Sequence, residues 1–564
     1  MNNIPDLKET RIVNSALWAA VGDALGFITE LADLQGVKRR AGETEIQTTL
    51  SWRRAIGGRF GALATLPAGA YSDDTQLRLA TCRAIRSDGH FDVEAFAKIE
   101  LPVWLSYGIG GGLSTKAAAG ALRHQDVNWY SNFFKDRSAS YIEAGGNGAA
   151  MRIQPHVWAS KTADPAEYIP EVIRNAVCTH GHMRAIFGAV FHGFCLAETI
   201  RSGDIANPDV WQQGLKWASE IPRFIREDSE LRAFWLPSWE VKSRTSIHDA
   251  CESVRLECER DIVTLNQIDA ESAGAFTLAY ERLECFGASS RGSATKTTLI
   301  ASWLAWSYRV QEPLKLLARV ANTLNSDTDT IATMLGALTG AIANVAPTAV
   351  LMDQDYIACE ARRLARISFG EKEVSFRYPD LLSWRAPQTQ LDALGKTDGK
   401  LFVAGLGEAE IAGESYPARK ADGTSWQWLR LHFGETILIR QRANLPVHKV
   451  LSPPQPKSAL HHEKPRVKML QQPALFDSPK PTPADHNKAS ERKPTIDELS
   501  GEAIRSGFDA EVIGKHLLSF SESPDGIEKA IAYSGIVVKA RRARLMSSTA
   551  IQQNPTSKRG TEQN

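Results

Sequence analysis

The chain has 564 residues and only seven cysteines, at 82, 178, 195, 251, 258, 285 and 359, with no CxxC pair among them. An odd, unpatterned set of this kind excludes a disulfide framework or a thiolate zinc centre and fits reduced cytosolic thiols. No run of 18 apolar residues occurs, so no transmembrane span is expected. The start, Met1-Asn2-Asn3-Ile4-Pro5, lacks the basic-then-apolar order of a secretory signal. Charge of one sign is lacking too: 66 basic against 65 acidic residues leave a net +1, which gives no bulk attraction to nucleic acid or membrane. The expected location is therefore cytoplasmic. Hydrophobic residues make up 43% and charged residues 23%, enough for a sizeable core, and the length calls for more than one domain.

Two tetrads stand out against this ordinary background. Ser72-Asp73-Asp74-Thr75 and Asp327-Thr328-Asp329-Thr330 each head an apolar helical stretch, about 250 residues apart. Each gathers two carboxylates and two hydroxyls, all hard oxygen ligands of the kind a Mg²⁺ site uses. Asp and Ser also cap helices, so either tetrad alone reads as a cap. Together they hold more carboxylates than capping needs.

Residues 10–200 read as successive helices, broken by Gly108 to Gly112 and Gly145 to Gly148. Residues 205–285 read as a helical insertion rich in Trp (211, 217, 235, 239), placed to line one side of a cleft. Apolar helices return over 295–345, so the layout to about residue 370 is all-α. Over 371–447 the pattern becomes β-rich. Trp426 to His432, the turn Phe433-Gly434-Glu435 and Thr436 to Arg440 read as a hairpin, and Lys400 to Ile411 as a further strand or two. Residues 448–495 form a Pro-rich linker expected to be disordered. Residues 496–547 suggest a small helical unit, and 548–564 a disordered tail.

Five motifs in order turn the tetrads into a family likeness. They are Gly22-Asp23-Ala24-Leu25-Gly26 with Glu30 just beyond; Tyr71-Ser72-Asp73-Asp74-Thr75; Gly145-Gly146-Asn147-Gly148-Ala149-Ala150-Met151-Arg152; Thr179-His180-Gly181-His182; and Asp327-Thr328-Asp329-Thr330 running into Gly336 and Gly340. This set resembles the ADP-ribosylglycohydrolase family over about residues 10–370. The resemblance implies an all-α catalytic domain that cleaves the glycosidic bond of an ADP-ribosylated side chain or related substrate. It implies two Mg²⁺ (or Mn²⁺) ions held by Ser72, Asp73, Asp74, Asp327, Asp329 and Thr330. It implies Glu30 as the proton-transfer residue, although a Glu by itself is usually a solvated helix residue. Asp23 is expected to order its surroundings rather than bind metal. Gly146, Asn147, Gly148 and Met151 would cradle the diphosphate, where glycines let backbone N–H groups approach an anion, or form a plain turn. Gly110 and Thr115 would add a second wall, and His182 a contact to a ribose hydroxyl. Two departures are visible: Ser72 stands where the family usually has Thr, and Asn325-Ser326 where it usually has Gly-Gly.

Within the linker, Gln472-Pro473-Ala474-Leu475-Phe476 resembles the peptide by which bacterial proteins dock on the DNA sliding clamp, with Gln472, Leu475 and Phe476 as anchors. An incidental apolar patch is the plainer account. Two other functional readings stand beside the hydrolase. One is a non-catalytic module that holds ADP-ribose or a nucleotide, and the other an adaptor recruited to a DNA-associated partner through its tail.

Overall fold

The computed structural model describes residues 4–58, 61–420, 423–447 and 494–522, and most of 526–541. Gln472, Leu475 and Phe476 and the linker around them lie outside the described residues. Two compact units are present, 1–462 and 463–564.

Two long helices form the spine of the first unit, α1 (Ile4–Thr29) and α6 (Thr328–Ile342). Chain order between them runs β1 (Trp52–Ile56), β2 (Ala62–Leu66), α2 (Asp73–Ala84), α3 (Leu113–Leu122), α4 (Met183–Ser202) and α5 (Ala294–Ser307). Helices α1 and α6 lie in backbone contact, because small residues face each other where they cross. A Cβ added at Gly22 would stand 2.2 Å from Ala332 O, and one at Gly26 2.3 Å from Thr328 O. Such spacing leaves no room for any side chain. The close crossing brings the end of α1, just before Glu30, against the start of α6, where the second tetrad sits. Helix α4 packs behind them, and α7 (Gln354–Ser368) closes the bundle. Leu7–Thr29 and Met183–Ser202 are long and apolar enough to cross a membrane by length and composition. Their most apolar 18-residue windows are 94% and 89% buried inside the protein, as in core helices.

The N-terminal region is not wholly helical. Strands β1 and β2 form an antiparallel hairpin with Arg54 opposite Ala64, within the 10–200 stretch whose apolar spacing predicts helices. Period-two burial in β2, with Ala62, Ala64 and Leu66 inward, is its signature. Helices do fill 205–285, from Pro208–Ser219 to Ala275–Arg282.

The β-rich region is a five-stranded antiparallel sheet in sequential order: β3 (Leu394–Thr397), β4 (Lys400–Val403), β5 (Gly407–Pro417), β6 (Thr424–Leu431) and β7 (Thr436–Arg442). The β6–β7 hairpin pairs Trp428 with Leu438 and turns at Gly434, whose φ of +117° favours glycine. This sheet is part of the first compact unit, not a separate body. In the second unit, α8 (Ile496–Arg505) starts with a Thr495/Glu498 capping box and is followed by α9 (Ala510–Phe520). Leu499, Ala503, Phe520, Tyr533 and Val537 make its small core.

Candidate active site

Asp23 organises the first tetrad from within α1. It is fully buried, and its carboxylate accepts from the backbone N–H groups of Ser72 and Thr75, both at 2.9 Å, and from the Thr75 hydroxyl. A neighbouring helix thus supplies a cap of charge for α2. Ser72 caps as well, its Oγ accepting from Asp74 N at 3.2 Å. With these donors satisfied by Asp23 and Ser72, Asp73 and Asp74 are left to face a cavity. Asp73 accepts from Gly111 N at 2.7 Å, which pins the Gly108–Gly112 loop over the head of α2. The same loop rests on the Trp104 ring, where Cβ atoms at Gly108 or Gly111 would stand 2.7 Å from ring carbons.

The second tetrad meets the first across the α1–α6 crossing. Thr330 Oγ1 lies 3.4 Å from Asp74 Oδ1, joining residues 256 apart in sequence. Asn147 Nδ2 donates to Asp327 Oδ2 at 3.0 Å and to Thr297 Oγ1 at 3.1 Å, while Asn147 N donates to Gly292 O at 2.9 Å. The glycine loop is therefore tied to both α5 and α6. Arg152 fastens it from behind, donating to Gly148 O at 2.8 Å and Thr179 Oγ1 at 2.8 Å.

A cavity of about 250 Å³ results, lined by Glu30, Asp73, Asp74, Thr115, Gly146, Asn147, Gly148, Met151, Asp327, Asp329 and Thr330, with Gly111 to Ser114, His180 and Gly292. Of the residues singled out in the sequence, Ser72, Gly110 and His182 are not part of the lining. The Ser72 hydroxyl caps α2. Gly110, at φ +95°, packs its backbone on Asp73, where a Cβ would stand 2.7 Å from Oδ1. His182 is the N-cap of α4, accepting from Arg184 N at 3.1 Å. His180 faces the cavity in its place. Its Nδ1 is 2.7 Å from Thr179 Oγ1, and burial lowers its pKa to about 3, so it is a neutral imidazole there. The helical region 205–285 contributes nothing to the lining. Instead it backs the histidine turn, Trp239 Nε1 donating to Gly181 O at 2.6 Å and Trp235 Nε1 to Tyr141 Oη at 2.7 Å. Asn325 stands at φ +69°, a conformation glycine adopts freely and Asn tolerates, so the Asn325-Ser326 departure fits the same turn.

The cavity is crowded with negative charge. Burial raises Asp74 and Asp329 well above the usual carboxylate range; Asp23, Asp73 and Asp327 push Asp74 further, and Glu30, Asp327 and Asp74 push Asp329. Asp73 is raised to about 7 by burial and by Glu30. Asp327 is raised chiefly by burial. Cations stand near, among them Lys116, which acts on Asp73 and Glu30. Arg54, on β1, pairs with Glu30 at 2.9 Å and stacks over Phe27 at 4.2 Å. Arg78, fully buried, donates to Thr75 Oγ1 at 2.7 Å. On the cavity lining, Asp74 Oδ2 and Thr115 Oγ1 are buried without a hydrogen-bond partner. Charge, donor chemistry and the orphaned Asp74 oxygen all suit a divalent cation. Among the described residues, no three His, Cys, Asp or Glu side chains by themselves form a metal-holding group.

The ADP-ribosylglycohydrolase family profile matches residues 5–367. A stretch of 174 residues is 29% identical to the ADP-ribosyl-[dinitrogen reductase] glycohydrolase of Rhodospirillum rubrum, covering 30% of this chain and 52% of that protein. The chain thus spans about half the length of that relative. A solved chain from an ADP-ribosylglycohydrolase-related protein complex aligns with a TM-score of 0.40 at 19% identity, over 64% of this chain and 99% of its own. With a family match over residues 5–367, this chain belongs to the ADP-ribosylglycohydrolase family.

Proposed function

We propose that this protein is a metal-dependent hydrolase that frees ADP-ribose from a modified side chain or a related ADP-ribosylated substrate. The observation that carries this reading is the convergence of Glu30, Asp73, Asp74, Asp327 and Asp329 on one cavity whose other wall is the Gly146-Asn147-Gly148 loop. The relative from Rhodospirillum rubrum, named for removing ADP-ribose from a protein, supports the substrate class.

Cleavage of an N- or O-glycosidic bond at an anomeric carbon passes through an oxocarbenium-like state and needs a positioned water and a group to handle its proton. Glu30 is that group, held at the cavity by Arg54. The backbone of Gly146 to Gly148 and the free Thr115 hydroxyl bind and orient the ADP-ribose moiety. Ser72, Asp73, Asp74, Asp327, Asp329 and Thr330 would hold two Mg²⁺ (or Mn²⁺) ions. When bound, such ions supply Lewis acidity toward sugar oxygens and neutralise the crowded carboxylates. His180, kept neutral, offers a hydrogen bond to the sugar. Calorimetric titration of ADP-ribose into wild type and Asn147→Ala, with Mg²⁺ present, tests the assignment of the pocket. Equal affinity in the two proteins would remove the glycine loop from it.

The cytoplasmic location is part of the same proposal, supported by seven free cysteines. Docking of residues 472–476 on a sliding clamp is a further proposal, supported by the Gln-Pro-Ala-Leu-Phe pattern alone. Anisotropy of a labelled 466–482 peptide against purified clamp decides it, and no saturable binding would dismiss it.

A further inference from the structure

The turn between β6 and β7 is buried against helices of the catalytic bundle. Glu435 is fully buried and paired with Arg83, in the last turn of α2. Arg83 is gripped on its other side by Glu100, at 2.8 and 2.9 Å. The next residue, Thr436, donates from its backbone N at 2.6 Å and its hydroxyl at 2.7 Å to Asp353. Asp353 in turn accepts from the Tyr71 hydroxyl at 2.8 Å. Tyr71 immediately precedes Ser72-Asp73-Asp74. One turn of the sheet is thereby bonded to both ends of the helix that presents the first carboxylate pair.

The sheet also reaches two other parts of the cavity's frame. Arg440 N donates to Ser106 O at 3.2 Å, just before the Gly108–Gly112 loop. Tyr416 Oη donates to Thr65 O at 3.1 Å on the hairpin that carries Arg54, the partner of Glu30. None of Tyr71, Arg83, Asp353, Glu435 or Thr436 lines the cavity.

We propose that the 433–436 turn of the sheet is a positioning element for the reaction: through Thr436–Asp353–Tyr71 and through Glu435–Arg83 it sets where α2 holds Asp73 and Asp74. The sheet is then a working part of the hydrolase rather than an appended module. This rests on the proposed function for what α2 does, but not for how it is held.

Thr436→Val removes the hydroxyl at nearly constant volume, and Tyr71→Phe removes the other end of the relay. Each is expected to speed amide exchange at residues 72–75 by about five-fold or more, the scale of one lost buried hydrogen bond. Each is also expected to lower kcat by about ten-fold with KM little changed, since the glycine loop that binds substrate is untouched. Thr436→Ser keeps the hydroxyl and should behave as wild type. Unchanged exchange at 72–75 in both variants, with only a lowered Tm, would overturn the proposal. So would faster exchange with full kcat. Absence of turnover by wild type on every ADP-ribosylated substrate would instead defeat the functional reading, and exchange would then decide the positioning claim alone.

Discussion

Asp73→Asn should stabilise the protein when divalent ions are removed, although it damages the site. Asp73 is 6% exposed, and burial with Glu30 nearby raises it from 3.8 to about 7. A carboxyl raised in the fold contributes stability that is fully present below its unfolded pKa and is lost as pH rises through the folded value. Three pKa units correspond to about 4 kcal/mol at pH 8. At pH 5 the loss is smaller, less than half of that by the same linkage relation. Asn cannot ionise and still accepts from Gly111 N, so it escapes this loss. In chelator, the stability of Asp73→Asn relative to wild type should therefore improve by about 2–3 kcal/mol between pH 5 and pH 8. Mg²⁺ at 100 times its dissociation constant should then return about 2.7 kcal/mol to wild type and less to the variant. Urea unfolding followed by tryptophan fluorescence reads both numbers. A stability difference that is the same at pH 5 and pH 8 would show that the carboxylates are not crowded as described.

Other outcomes follow from the same geometry. Glu30→Gln should lower kcat by about 10²–10⁴-fold while calorimetry finds ADP-ribose binding intact, and a fully active variant would discard Glu30 as the proton-transfer group. Gly26→Ala must place a Cβ 2.3 Å from Thr328 O, so α1 and α6 must part; a stability loss of at least about 1–3 kcal/mol with reduced turnover is expected, and an unchanged Tm would contradict the close crossing. His192 is buried and neutral, its pKa lowered to about 3 by burial and then by Arg78. A depressed histidine loses its contribution as pH falls below about 6.5, so between pH 7.5 and pH 5 wild type should lose about 2 kcal/mol relative to His192→Gln in urea melts. Parallel pH curves for the two proteins would refute that reading.

Much of the site was legible because its chemistry is local in sequence. Two carboxylates within three residues announce themselves at Asp73-Asp74 and Asp327 to Asp329, and Gly146-Asn147-Gly148 does so by composition. The β6–β7 hairpin was legible for a similar reason, its strands flanking a glycine turn. What escaped depends on contacts between distant segments. His180 and His182 are two residues apart, and only the path of the chain into α4 makes one a cap and sends the other to the cavity. Thr297 and Gly292 matter through Asn147, some 150 residues earlier. The β1–β2 hairpin is short and surrounded by helical pattern, yet it supplies Arg54 to Glu30. The link between Glu435 and Arg83 spans 352 residues and carries no local signature.

The most direct test of the central claim is release of free ADP-ribose from arginine-, serine- and nucleobase-linked ADP-ribosyl substrates, measured for wild type and Asp329→Ala with Mg²⁺ and with chelator. The account predicts that wild type with Mg²⁺ frees ADP-ribose from at least one substrate, and that chelator or loss of Asp329 lowers that rate by two orders of magnitude or more, roughly the effect of removing a main electrostatic contribution. Equal rates with Mg²⁺ and with chelator, or no release from any of the three linkages, would contradict it.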